Sequence, residues 1–448
     1  MGNGRALIIV LGGLAVAFSL SLGAAEPLTD RDPVEVLRQV TAKVTAAALH
    51  VRNYTCVETV ERHYYKPAAN TLDRACAVVL EQRRNPTLDM ALKWFLTDRL
   101  RLDVTMARTG EIYSWVGASR LDARIDQIVR DGPIGSGAFA AFLDVIFLMD
   151  AKKFTFLGHR AVDGSDRMEY TFQVAKADSH YSVRVNDSFV EVAYSGIVLV
   201  DPATSDVVRL WVRSAELPIA SGNCETATTL DYGTVQIGSA PLLLPTHVQQ
   251  RFVGPDGSET ENFTSFASCR EYRGDSTIVY GSPAESLVSA GSAGGAVPAP
   301  PLPPGLSFAL ELLTPIDTDR MAAGDQFRAR LVRPIRNEKS KALARAGSIV
   351  EGRLLRLQTY HLPPPEVLVV FAPRTLWING EKVPLAANRD WSSAWKETRR
   401  KNKKPPRILM PAPTEGAAGV FQFPGEHVVV PKGFRSDWRT AKTEAPGK

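Results

Sequence analysis

Residues 196–213 read GIVLVDPATSDVVRLWVR. β-Branched and aromatic residues dominate both ends of this stretch, which favours strands at 197–200 and 207–213. Between them lies the β-turn sequence Asp201-Pro202-Ala203-Thr204, in which proline presets one backbone dihedral and aspartate bonds its own backbone. The stretch therefore predicts two antiparallel strands joined by a short connection.

The same alternation of strand and turn recurs along the first two thirds of the chain. Glycine (33) and proline (30) are plentiful, as a turn-rich β protein requires, and explicit turn sequences occur at 163–166 and 254–257. The predicted strands are Tyr54–Tyr65, Arg99–Met106, Ile112–Val116, Phe154–Leu157, Met168–Val174, Tyr181–Val185, Phe189–Tyr194, Ile197–Val200, Val207–Arg213, Ala227–Ile237, Thr246–Val253 and Asn262–Glu271. Consecutive strands with short turns indicate an antiparallel meander.

Two helices interrupt this pattern. Asp32 is a good N-cap, Pro33 suits the first helical position, and Glu35 completes the spacing of a capping box. A second helix is predicted over 139–149, where Phe139, Phe142, Leu143, Ile146 and Phe147 share one face. Two helices cannot cover both faces of some ten strands, so the sheet must curve around them. The predicted fold class is mainly β: a curved antiparallel sheet, or half-barrel, wrapping one or two helices, then a small second β-barrel-like domain.

The composition excludes two broad classes of protein. Apolar residues make up 44% and charged residues 23% of the chain, which is ordinary for a packed core and excludes wholesale disorder. The mean hydropathy is −0.09 and the one long apolar run lies at the N-terminus, which excludes a multi-span membrane protein.

The chain divides at a segment of changed composition. Residues 283–304 hold six proline, five alanine, three serine and three glycine residues and no aromatic residue, so they cannot bury a core. We interpret them as a linker. The predicted parts are a signal peptide (1–25), a curved-sheet domain (26–282), the linker (283–304) and a β-barrel-like domain (305–448) with a basic insertion (389–407).

The N-terminus indicates export. A cation at Arg5, an apolar stretch over 6–22 and the small residues Gly23-Ala24-Ala25 form the pattern of a secretory signal peptide. An uncleaved anchor is the alternative. We predict a periplasmic or secreted protein associated with the cell envelope.

Four cysteines fit an oxidising compartment, where an even number indicates disulfides. They allow three pairings. We favour the local one, Cys56–Cys76 and Cys224–Cys269, with 66–70 as the turn of a hairpin. The register of that hairpin does not match, so either a bulge absorbs the offset or the pairing is different.

The order of the N-terminal elements, with the run 196–211, resembles the LolA/RseB lipoprotein-carrier-like fold. That resemblance implies helices in the concave face of a curved sheet and an apolar cavity for acyl chains. The alternative is that the same apolar residues simply fill a core.

The C-terminal part resembles the TrbI-type β-barrel module of conjugation and type IV secretion complexes. The residues that carry the resemblance are Leu302-Pro303-Pro304-Gly305, Ala323-Gly324-Asp325 and the glycines of Ala346–Arg353. It implies a small barrel; the helical antenna of the channel subunit is missing, so no pore role is implied. The whole chain resembles exported bacterial proteins.

No catalytic motif emerges from the sequence. The seven histidines are dispersed, and a nucleophile elbow, a phosphate-binding loop and a metal-ligand spacing are all missing. We predict no catalytic residue, no cofactor and no metal site, and a non-enzymatic envelope protein that binds an apolar or lipid-like ligand or an envelope partner. The alternatives are an exported hydrolase with a site assembled from scattered residues, and an assembly subunit of an envelope complex.

One segment departs from the charge balance of the chain. Residues 389–407 contain eight basic and two acidic residues, a net charge of +6, whereas the whole chain carries +5. Basic residues with aromatic anchors suit an anionic membrane or polyanion, although a solvated loop is the alternative. Nucleic acid is not expected for an exported protein. The residues predicted to bind such a surface are Trp391, Trp395, Lys396, Arg399, Arg400, Lys401, Lys403 and Lys404.

Overall fold

Antiparallel strands make up most of the described part of the chain, with 54% strand and 14% helix, which confirms the mainly β fold class. The computed structural model describes residues 31–68, 74–85, 91–108, 110–118, 121, 123–151, 153–215, 217–237, 240–271, 301–392 and 410–442. Within those ranges, no helix combines the length and apolarity needed to cross a membrane.

The strands fall into two groups along the chain. Those of the first lobe are β1 (Tyr54–Pro67), β2 (Leu92–Ala107), β3 (Gly110–Trp115), β4 (Phe154–Val162), β5 (Ser165–Val174), β6 (Ser182–Val185), β7 (Ser188–Glu191), β8 (Tyr194–Val200), β9 (Val207–Ala215), β10 (Glu225–Ile237), β11 (Ala240–Val253) and β12 (Glu259–Glu271). Those of the second lobe are β13 (Ser307–Leu312), β14 (Ile316–Asp317), β15 (Gln326–Leu331), β16 (Ile335–Arg336), β17 (Ala342–Ala344), β18 (Ile349–Tyr360), β19 (Glu366–Ile378), β20 (Glu381–Pro384), β21 (Ala387–Arg389), β22 (Gly419–Pro424), β23 (Val429–Val430) and β24 (Arg435–Thr440).

The first lobe is one antiparallel sheet in the order β4-β5-β8-β9-β10-β11-β12-β1-β2-β3. β6 and β7 pair only with each other among the described residues, in a hairpin outside this sheet. Because strands alternate their side chains, every second residue points to the concave face. In β1 the inward set contains Cys56, Val60 and also the charged Glu58 and Arg62, all of them buried.

The helices of the first lobe are α1 (Pro33–Val51), α2 (Cys76–Arg84), α3 (Ile125–Ile128) and α4 (Ala141–Asp144), which continues as a π-helical turn (Val145–Asp150). The Asp32 side chain caps α1 by accepting the Val34 N–H at 3.0 Å. The predicted capping box does not form, because the Glu35 carboxylate binds Arg38 and Gln39 instead. The second predicted helix is confirmed, although its second half is wound as a π-helix.

The predicted disulfide pairing is wrong. The bonds join Cys56 to Cys269 and Cys76 to Cys224. β1 pairs with β12 and β2, and Cys76 begins α2, which packs Val79 and Leu80 against Cys224 and Val253. A bulge in the β1–β12 register, between the pairs Thr55↔Arg270 and Val57↔Ala267, places Cys56 beside Cys269.

The second lobe is a curled sheet in the order β21-β24-β13-β15-β18-β19-β22. It surrounds Phe327, Phe371, Phe421 and Trp438, each at most 2% exposed. Over the described residues the sheet does not close into a barrel. Its two ends touch beside β21 and β22, where the Arg389 N–H donates to the Ala418 carbonyl and the Ala418 N–H donates to the Asn388 side chain.

The two lobes join along the outer edge of β2. Residues 102–107 pair with β3, whereas Leu96–Asp98 pair with Tyr360–Gln358 of β18. The Arg101 guanidinium contacts the Asp325 carboxylate at 2.6 Å. Gly324 has φ +106°, and a Cβ there would lie 2.2 Å from the Arg101 carbonyl, so only glycine fits. Residues 272–300, which include most of the predicted linker, lie outside the described ranges, as does the predicted signal peptide.

Candidate functional site

The concave face of the first lobe is covered by α1 and by residues 123–151, which we call the cover segment. On α1, Val36, Val40 and Val44 are at most 2% exposed. The apolar face of the cover segment packs with them against the sheet, and its members are Ala138, Phe142, Leu143, Ile146 and Phe147. The concave face is therefore filled by side chains that belong to the covering elements.

Side chains from three sheet residues hydrogen-bond the backbone of the cover segment. Arg62 Nη1 donates to the Asp131 carbonyl at 2.8 Å, and Asn262 Nδ2 donates to the Pro133 carbonyl at 3.1 Å. The Glu111 carboxylate accepts N–H groups of residues 137, 140 and 141 at 2.6–3.3 Å. These bonds satisfy polar backbone groups that would otherwise be buried at a cost.

Glycines let the cover segment lie directly on the sheet. Gly132 has φ +77°, and a Cβ there would lie 2.3 Å from the Tyr64 hydroxyl. At Gly135 a Cβ would lie 2.6 Å from the Gln250 amide nitrogen. The loop between α3 and α4 therefore depends on the absence of side chains for its close contact with the sheet.

Beneath this loop lies a buried polar cluster formed by Glu58, Glu111, Tyr113 and Tyr232. The Tyr113 hydroxyl donates to Glu111 at 2.5 Å. Glu58 is 3% exposed, and neither its Oε2 nor the Tyr232 hydroxyl has a hydrogen-bond partner in the described ranges. Burial, helped by the neighbouring charge of Glu111, raises the pKa of Glu58 well above its usual range. Both groups retain the capacity to bond a polar group of a bound molecule.

A second polar group lies where the π-helical turn ends. The Asp150 carboxylate is fully buried and accepts the His180 N–H at 2.9 Å, the His180 ring Nδ1 at 2.5 Å and the Tyr194 hydroxyl at 2.8 Å. The His180 ring remains half exposed beside Met149 and Glu191. A carboxylate that orients an exposed imidazole is the arrangement of a general base. The nearby Ser179 hydroxyl bonds the backbone of Tyr181 instead of the imidazole.

Of the predicted basic segment, the structure describes residues 389–392. The Arg389 guanidinium lies 3.7 Å from the centre of the Trp391 ring and 4.1 Å from that of Phe421. Burial lowers the pKa of Arg389 to about 10. Trp391 thus packs on a structural arginine, and the other predicted surface-binding residues, Trp395, Lys396, Arg399, Arg400, Lys401, Lys403 and Lys404, lie outside the described ranges.

The polar groups of the concave face were not predicted from the sequence. A signal is present in β1, where Glu58 and Arg62 occupy the same parity as Cys56 and Val60. Charges on the apolar side of an alternating strand indicate buried polar contacts. No comparable signal marks the Asp150 and His180 pair, whose members are thirty residues apart.

No family model and no curated protein matches the sequence. Solved structures with some likeness to this chain include a DUF1329 family protein from Desulfovibrio piger, a LolA superfamily protein from Nitrosomonas europaea and the lipoprotein LppX from Mycobacterium tuberculosis.

These three proteins are 11%, 10% and 9% identical to this chain, respectively, with TM-scores of 0.27, 0.26 and 0.17. The matches cover 54%, 52% and 54% of this chain and 94%, 94% and 99% of the three solved chains. At TM-scores this low, the likeness carries no argument about this chain. The resemblance of the second lobe to the TrbI-type module stays a prediction.

Proposed function

We propose that the protein is an exported, non-enzymatic binding protein that takes an apolar or lipid-like ligand onto the concave face of its first lobe. One observation carries the proposal: the cover segment packs on that face through apolar side chains, while its loop is hydrogen-bonded to the sheet by three side chains, those of Arg62, Asn262 and Glu111. Two disulfides support an oxidising, extracytoplasmic location.

In this proposal the ligand replaces the cover segment on the sheet. An acyl chain would contact the same inward residues that now contact Phe142 and Phe147, so the apolar area buried before and after exchange is similar. The spare hydrogen-bond capacity of Glu58 and Tyr232 would receive a polar group of the ligand.

The test is to weaken the contact between cover segment and sheet. Gly132→Ala places a methyl group against the Tyr64 hydroxyl, whereas Gly164→Ala imposes the same strain at φ +76° with no atom within 4 Å. We expect Gly132→Ala to make hydrogen exchange over 129–141 faster. The same variant should also take up palmitate faster, as measured by native mass spectrometry. Gly164→Ala should change neither rate.

Gly135→Ala serves as a second, milder variant, because its methyl group would meet the movable amide end of Gln250. If faster exchange in either variant brings no change in palmitate uptake, the concave face is a permanent core and the proposal fails.

The second candidate function is an exported hydrolase, which the Asp150-oriented imidazole of His180 favours. Its test is a screen of ester and phosphoester substrates with wild type and His180→Gln. Turnover that His180→Gln abolishes would establish this function. If wild type turns over no substrate, the Asp150–His180 pair only stabilises the end of the π-helical turn. An assembly role for the second lobe and basic segment is the third alternative.

A further inference from the structure

A cleft of about 280 Å³ lies where the two lobes meet, beside the cover segment. Its lining comes from β1, β2, β3, α3 and the loop after it, β18 and β19, together with Ala323 and Glu415. Five arginines converge on it: Arg62, Arg99, Arg130, Arg356 and Arg374. Three carboxylates line it as well, those of Asp98, Asp131 and Glu415, which leaves a formal excess of two positive charges (five minus three).

Three of the five arginines are already paired. Arg62 binds Asp98, Arg99 binds Glu61, and Arg356 binds Glu415 at 2.8 Å. Arg130 and Arg374 form no ion pair and no side-chain hydrogen bond with any residue in the described ranges. Their guanidinium groups are therefore the cations of this cleft that remain available to a bound anion.

The surroundings of Arg374 make its positive charge unfavourable, so an anion beside it would be stabilising. Arg353, whose Nη1 donates to the Val116 carbonyl at 2.8 Å, stands close enough for the two charges to repel. Burial removes water from Arg374 and lowers its pKa. Burial also lowers the pKa of Arg353, and the positive charge of Arg374 lowers it further. An anion beside Arg374 would relieve both unfavourable effects.

Gln127, Gln358 and several apolar side chains complete the cleft wall. Leu100 and Trp115 contribute from the first lobe, Ile128 from the cover segment, and Leu355 and Leu357 from the second lobe. We propose that this cleft binds an anion with an apolar substituent, a carboxylate or phosphate group on a short hydrocarbon chain, with Arg130 and Arg374 as its ion-pair partners. A guanidinium can bind either head group with two parallel hydrogen bonds. The cleft shares Arg62 with the concave face and Arg130 with the cover segment, but its ligand is distinct from the one proposed for the concave face.

The probes are octanoate, octyl phosphate and uncharged octanol, titrated calorimetrically into wild type, Arg130→Gln, Arg374→Gln and Arg345→Gln. Arg345 is an exposed arginine of the second lobe outside the cleft, so its variant removes the same charge elsewhere. We expect Arg130→Gln and Arg374→Gln each to weaken binding of at least one acid about tenfold, because each removes a charged hydrogen-bond donor. Arg345→Gln should change nothing, and octanol should bind all four proteins alike. The acid that shows the effect identifies the head group.

Chemical labelling locates the bound acid. Phenylglyoxal modifies accessible arginines, and mass spectrometry of peptides then shows which ones the acid protects. Protection of Arg130 and Arg374 is expected. If neither acid binds wild type, or if an acid binds with unchanged affinity in both cleft variants and protects neither arginine, the inference is overturned. The latter result would leave the concave-face proposal intact, because displacement of the cover segment by a ligand does not require Arg130 or Arg374.

Discussion

Arg62 and Asp98 form a doubly hydrogen-bonded ion pair, with Nε–Oδ1 and Nη2–Oδ2 distances of 2.7 Å, and their side chains are only 3% and 6% exposed. The third donor of Arg62 binds the Asp131 carbonyl of the cover segment. The backbone of Asp98 pairs with Gln358 of the second lobe. The two residues of this ion pair therefore contact the sheet, its cover segment and, through the backbone of Asp98, the second lobe.

Asp98→Asn should destabilise the protein by about 3–5 kcal/mol, because it leaves the Arg62 charge buried without its partner. The measurement is urea unfolding. Asp187→Asn is the control, since its carboxylate is fully exposed and 3.8 Å from Arg184, a pair of little value to stability. A loss below about 1 kcal/mol for Asp98→Asn would show that water screens the buried pair.

The disulfide pairing predicts the peptides found after digestion without reductant. Cys56 should be linked to Cys269 and Cys76 to Cys224. Replacing Cys76 and Cys224 together with serine should cost about 4 kcal/mol in free energy of unfolding, because the bond closes a loop of 148 residues and so restricts the unfolded chain. Peptides that link Cys56 to Cys76 would contradict the structure.

Glu58 should make stability fall as pH rises. Its pKa is raised in the folded chain by burial and by Glu111, so the folded chain binds more protons than the unfolded chain between the unfolded and folded pKa values. The free energy of unfolding therefore decreases with pH across that interval, by at most about 1.4 kcal/mol per pH unit.

Glu58→Gln removes this dependence. Relative to wild type, the variant should become more stable as pH rises from about 5 to about 8, measured by urea unfolding. The exposed Glu338→Gln is the matched control. Parallel curves for wild type and Glu58→Gln would mean that Glu58 titrates as it does in the unfolded chain.

The basic segment should attract anionic membranes. Each lysine or arginine near such a surface contributes about 1 kcal/mol, and added salt screens the attraction. Replacing Arg399, Arg400, Lys401, Lys403 and Lys404 with glutamine should abolish most binding to anionic liposomes without changing thermal stability. If the wild-type protein does not bind these liposomes at low salt, or if the variant unfolds, the surface-binding prediction fails.

The predicted linker should be the preferred site of limited proteolysis, between 283 and 304. Because β2 pairs with β18 and Arg101 binds Asp325, we expect the two fragments to stay folded and to co-elute on gel filtration at neutral pH. Fragments that precipitate on separation in urea and refolding would show that the lobes share a core and that the proposed domain boundary is wrong.

Local chemistry explains why the strands could be predicted. In the turn after β8, Asp201 Oδ1 accepts the N–H groups of Ala203 and Thr204, which is the self-bonding that its sequence indicates. The helix that begins at Cys76 could not be predicted in this way, because α2 is short, has no side-chain N-cap bond, and groups its apolar residues in one run, 76–80, before four polar ones, which gives only a weak periodic signal.

Contacts between distant parts of the chain have no local sequence pattern from which they could be predicted. The pairing of Asp98 with Gln358 joins residues 260 positions apart. The sequence of each strand is equally compatible with an edge that is exposed to water. The arginine-lined cleft and the Asp150–His180 pair arise from such approaches, whereas the charged residues of β1 could have been noticed from their parity alone.

The bond between Cys56 and Cys269 also determines how the first lobe responds to force. β1 and β12 lie side by side in the sheet, and the bond bridges them near the points where the chain enters and leaves the lobe. Tension applied to the two ends of the polypeptide passes through the sulfur atoms, so residues 57–268 bear none of it once the contacts between β2 and the second lobe have parted. A protein pulled between two envelope structures would lengthen by extending α1 and the segments outside this bond, while the ten-stranded sheet and whatever it holds stayed intact.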